Sequence, residues 1–84
     1  MIDEIKNRLQ ALAPSSIDLI DESAQHAGHK GNGGGGHYKL NITSSHFCGK
    51  SQIMRHRLVY QALADLMPHK IHALSIHAIA TDEA

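Results

Sequence analysis

The chain has 84 residues with 8 basic and 8 acidic side chains, and its 42% apolar content includes one Phe, two Tyr and no Trp. That length leaves room for one domain with an aliphatic core of modest stability, and a balanced charge argues against coating nucleic acid by charge alone. The single cysteine excludes an internal disulfide, and no apolar run reaches the length of a bilayer span, so a soluble cytoplasmic chain, monomeric in isolation and without membrane contact, is expected.

Ile2, Ile5, Leu9 and Leu12 recur at helical spacing, which predicts a helix over residues 2 to 12. Asp3 and Glu4 suit its first turn, and Pro14 ends it. Residues 17 to 22 read as a short strand with Ile17 and Leu19 on one face. The segment from Ser23 to Gly36 follows, with His26, His29 and the run Gly33-Gly34-Gly35-Gly36. Hairpins normally close in about 2–5 residues, and longer connections are usually functional or disordered. Tyr38, Leu40 and Ile42 alternate with His37, Lys39, Asn41 and Thr43, which marks a half-buried strand paired with the first. Ser44 and Ser45 close it.

Gly49 to Gln52 reads as a turn or short helical piece, with Ser51 as the N-cap of the next helix. Ile53, Met54, Leu58, Val59, Ala62, Leu63 and Leu66 trace that helix's stripe, which Pro68 ends. Residues 71 to 80 are β-branched and small, and they make a third strand. Because it follows a helix, a crossover should set it parallel to a neighbour. The order is α-β-β-α-β, an α+β fold with a three-stranded mixed sheet and helices on one face. Thr81 to Ala84 is either a frayed end or the first turn of a truncated helix.

Several stretches together resemble the BolA family over essentially the whole chain. They are Asp21-Glu22-Ser23 followed by His26, His37-Tyr38-Lys39-Leu40, Phe47-Cys48-Gly49, Arg55-His56-Arg57-Leu58-Val59-Tyr60 with Leu63 and Ala64, and Ile71-His72-Ala73-Leu74-Ser75-Ile76. Two departures stand out. The family usually ends in Thr-Pro-x-Glu-Trp, where this chain reads Thr81-Asp82-Glu83-Ala84, and the Val-Pro pair usual after the loop histidine is absent.

The resemblance implies a single BolA-like domain over residues 1–84. Its order would be α-β-β-α-α-β, similar to type II KH domains, with a helix-turn-helix-like element and a Gly/His loop at 23–36. It also implies a non-enzymatic accessory role in iron–sulfur cluster assembly or iron homeostasis, with a monothiol glutaredoxin as partner. A [2Fe–2S] cluster would bridge the two proteins, with glutathione and the glutaredoxin cysteine on the partner side. By position, His72 from the third strand and His26 from the loop are the ligands this chain supplies; apart from the resemblance, the glycine-rich backbone allows His29 to be presented in place of His26.

The chemistry suits that role. Two imidazoles on one iron raise the reduction potential of a [2Fe–2S] centre over all-cysteine ligation. Two ligands from one chain leave the cluster incomplete, so an external thiolate donor is needed. Each residue also has a plainer reading. His72 is otherwise a hydrogen-bonded strand histidine, His26 and His29 are otherwise solvated, and His37 suits a structural hydrogen bond better than a ligand role. His77 lies five residues after His72, so an alternating strand aims it at the opposite face. Cys48 reads as a small buried hydrophobe, and its spacing to His26, His29 and His37 matches no ordinary zinc template.

The alternative function is a KH-like or helix-turn-helix transcriptional regulator that contacts DNA phosphates through Lys50, Arg55 and Arg57. Arg55 and Arg57 are two apart and cannot share a helix face, so one of them is expected to pair internally with Asp21 or Glu22. A solvated helix face is the plainer reading of these charges. No nucleophile–base pair or phosphate-cradling motif is present, so an enzyme is not expected.

Overall fold

The first helix, α1 (Ile2–Leu9), turns Ile5 and Leu9 inward and carries Asp3 and Glu4 at its positive end. This computed structural model describes residues 1–23, 36–67 and 69–84. A tighter 3-10 turn, Gln10–Leu12, continues α1 and buries Leu12, so the helical stretch spans the predicted residues 2 to 12. It stops at Ala13, which adopts a left-handed conformation (φ 45°) and donates its N–H to the Gln10 carbonyl.

Strand β1 (Ser16–Asp21) starts one residue earlier than the sequence pattern suggested. It pairs antiparallel with β2 (Gly36–Ser44), setting Ile17 opposite Ile42 and Leu19 opposite Leu40. Strand β3 (Ile71–Ala80) occupies the predicted span and lies parallel to β2, giving a mixed sheet in the order β1-β2-β3. Tyr38, Leu40, Ile42 and Ser44 alternate inward along β2 as their period of two requires. With Leu19, Ala78 and Ala80 they meet α1 and the second helix on one face of the sheet.

A 3-10 turn, Ser45–Phe47, drops Phe47 fully into this core. The helix α2 (Gln52–Ala62) then begins at Ser51, whose hydroxyl accepts the Met54 N–H at 3.3 Å as expected of an N-cap. The predicted stripe of this helix needs correction. Arg55 and Val59 define its inward face, and Ile53, two residues before Arg55, falls on the far side and is 74% exposed. Met54 is also exposed. The helix ends at Ala62, well before Pro68, and Leu63 and Leu66 reach the core from the turns that follow.

Of the two readings of Gly49 to Gln52, the turn holds, with Gly49 at φ 74°, and the short helical piece before α2 lies earlier than expected, at Ser45–Phe47. The last four residues form a turn rather than a frayed end or helix, with the Glu83 N–H bonded to the Ala80 carbonyl. Among the described residues, no helix is long and apolar enough to cross a membrane.

Candidate metal centre

The loop between β1 and β2 is tied at both roots. Ser23 donates its N–H to Asp21 Oδ1 (2.8 Å) and receives the His37 N–H on its hydroxyl (3.0 Å), while the Glu22 N–H reaches the His37 carbonyl (2.8 Å). The bonds from Ser23 hold the Asp21 carboxyl below the usual carboxylate range. On the other root, the Gly36 N–H bonds to the Lys70 carbonyl, beside the start of β3. Gly36 has no room for a side chain, because a Cβ there would collide with the Tyr38 ring. Burial raises the pKa of the Tyr38 phenol, with the Asp21 charge adding to the effect.

At this neck the sheet carries a bulge. Gly36 pairs with Ile71 and His37 pairs with Ala73, so His72 is the extra residue of β3. Burial follows the same slip: Ile71 is buried, His72 and Ala73 are exposed in succession, and Leu74 is half-buried. The bulge therefore shifts the alternation of β3 by one residue. His77, expected on the face opposite His72, shares the outer face with it and lies opposite Asn41.

The bulge also brings His72 to His37, with ring centroids 5.2 Å apart and planes tilted by 42°. Beside them a hollow of about 210 Å³ is lined by Glu22, His37, Tyr38, Ala73, Leu74 and Ser75. Sequence reasoning gave His37 a structural role and missed this pairing. Only the one-residue slip in β3 makes it, and no residue type in the segment announces that slip.

The remaining candidates are dispersed. His26 and His29 lie outside the described residues. Cys48 sits at the other end of the sheet, where its sulfur is 3.4 Å from Thr81 Oγ1 and 3.6 Å from Asp82 Oδ1. Cys48 and His37 flank opposite ends of β2 and do not form a common site. Among the described residues, no group of three or more His, Cys, Asp or Glu side chains is arranged to hold a metal.

Arg55 leaves the nucleic-acid candidates. It is 5% exposed and donates to the carbonyls of Lys50 (2.9 Å) and Ala78 (3.1 Å), and to both carboxylate oxygens of Glu83 (2.6 and 2.9 Å). The internal partner is thus Glu83, not Asp21 or Glu22. Lys50 and Arg57 remain exposed.

These features belong to a small α+β domain with an open sheet face and a histidine-bearing neck. A family model described as BolA-like protein matches residues 9–83, and the chain belongs to that family. It is 42% identical over 81 residues to SufE-like protein 1 of Arabidopsis thaliana, matching 88% of this chain and 22% of that protein. It is 38% identical over 82 residues to the DNA-binding transcriptional regulator BolA of Vibrio cholerae, covering 96% of this chain and 76% of that one. Mouse BolA-like protein 1 is 41% identical over 69 residues, or 82% of this chain and 49% of that protein.

The chain thus spans under a quarter of the Arabidopsis relative and about half of the mouse one. Among solved structures, the BolA domain of Arabidopsis SufE1 superposes with a TM-score of 0.84 at 41% identity, covering 98% of this chain and 93% of that one. Arabidopsis BolA1 gives a TM-score of 0.81 at 32% identity over 98% of this chain and 93% of that one.

Proposed function

We propose that this chain is a non-enzymatic accessory protein of iron–sulfur cluster assembly or iron homeostasis. It binds a monothiol glutaredoxin and shares a [2Fe–2S] cluster with it, with glutathione held on the partner's side. His72 is one ligand, and His26, or His29 in its place, is the other. The supporting observation is the position of His72: exposed on the outer face, and adjacent to the point where the loop rejoins the sheet through the Gly36–Ile71 pair. An accessible imidazole on a fixed strand suits a ligand that must meet a cluster held by another protein, and imidazole is an established ligand of [2Fe–2S] iron.

Mixing the pure chain with cluster-loaded glutaredoxin tests the reading. The visible circular dichroism of the cluster is expected to change with the wild type and to stay unchanged with His72→Ala. No response from the wild type, or an equal response from His72→Ala, overturns it.

A second reading, DNA binding, draws on the name of the Vibrio cholerae relative and on the exposed Lys50 and Arg57. It predicts sequence-selective binding that survives physiological salt. With so few exposed charges, purely electrostatic binding would disappear there.

A further inference from the structure

We infer that His37 and His72 form a site for a single divalent cation of the zinc class, which the chain binds by itself without cluster or partner. The argument is geometric. Two imidazoles ligating one tetrahedral ion, with metal–nitrogen bonds of about 2.0–2.1 Å, hold their ring centroids about 5 Å apart. The two rings here stand 5.2 Å apart and are tilted by 42° rather than stacked.

The two ligands are carried by rigid backbone. His37 is fixed in β2 by its N–H bond to the Ser23 hydroxyl and its carbonyl bond from Glu22. His72 is fixed by the bulge between the Gly36–Ile71 and His37–Ala73 pairs. Backbone held this way leaves only side-chain rotation to bring the rings onto an ion, which favours binding. The hollow beside His37 leaves room for water to complete the coordination, and Glu22 in its lining brings a negative charge to the neighbourhood. Imidazole donors with open positions select zinc, cobalt, nickel or copper rather than calcium or magnesium.

This inference does not rest on the cluster reading, and because both use His72, zinc and the cluster would exclude one another at that ring. The test is calorimetric titration of the isolated chain with ZnCl2, alongside His37→Gln, His72→Gln, His77→Gln and the double variant His26→Gln/His29→Gln. One zinc per chain is expected for the wild type. Affinity should fall at least tenfold in His37→Gln and in His72→Gln, and should hold in the His77 and loop variants.

Absence of saturable zinc binding overturns the inference, as does loss of binding in the loop variant with His37→Gln unaffected. Should a variant fail to fold, NMR of the wild type decides instead. Zinc must shift the ring signals of His37 and His72 first, and any other pair shifting first overturns the site. None of these results bears on the cluster spectrum recorded with glutaredoxin, so the two readings fail separately.

Discussion

Arg55 illustrates how little a residue's type says about its task. In the sequence it belongs to a cationic run, yet it is 5% exposed and all of its bonds are internal. Helical spacing separates it from Arg57 but does not name its partner, because Glu83 lies in another part of the chain. The Arg55 guanidinium and the Ala80 N–H together draw the Glu83 pKa from 4.5 down to about 2. Glu83 therefore stabilises the fold fully above its unfolded pKa of 4.5, and this contribution disappears as pH falls toward 2. Glu83→Gln is expected to lower the melting temperature at neutral pH, and its deficit against wild type should shrink between pH 4.5 and 2, as thermal melts across that range would show. Ala13 offers a change of opposite sign. Its left-handed conformation (φ 45°) at the end of the first helical stretch suits glycine, so Ala13→Gly should raise stability by about 1 kcal/mol in chemical denaturation.

At the scale of elements, hydrophobic period placed the strands and the first helix because each has one wet and one dry face. The same argument misread only the first turn of α2. Leu58, Val59, Ala62, Leu63 and Leu66 pack in or against the core as expected, but in the first turn Arg55 faces inward while Ile53 and Met54 are exposed. The α2 N-terminus was nonetheless readable from Ser51. With no acidic residue in the first turn, this hydroxyl is the main local support for that end, and Ser51→Ala should cost about 1 kcal/mol, measurable by denaturant melts. The bulge in β3 was not readable at all. Alternation assumes one residue per step, and the added residue is fixed by pairing with a distant strand, so its consequences for His72, His77 and His37 emerge only from the assembled sheet.

For the whole molecule, the parallel β2–β3 pair keeps two clusters of side chains apart along the strands. One end holds His37 and His72, and the other holds Phe47, Cys48 and the C-terminal turn with its Arg55–Glu83 pair. Phe47 is fully buried and large, and in a domain of this size Phe47→Ala should remove about 3–5 kcal/mol, enough to leave much of the chain unfolded at room temperature by circular dichroism. Glu83→Gln, by contrast, should leave partner and zinc affinities at their wild-type values at neutral pH, because it acts on the opposite end of the sheet.

The clasp formed by Asp21, Ser23 and His37 has a consequence for tolerance to change. Its described bonds join residues on either side of the connector, next to the Asp21–Tyr38 pair that ends the β1–β2 ladder. Closure entropy varies slowly with length, by about 0.6 kcal/mol per doubling. By that term alone, halving residues 24–35 should alter stability by about that amount, and a larger change in a denaturant melt would measure contacts that these residues make. The neck thus fastens the open end of the β1–β2 pair through one hydroxyl, and Ser23→Ala should release it first, seen as faster amide exchange at His37.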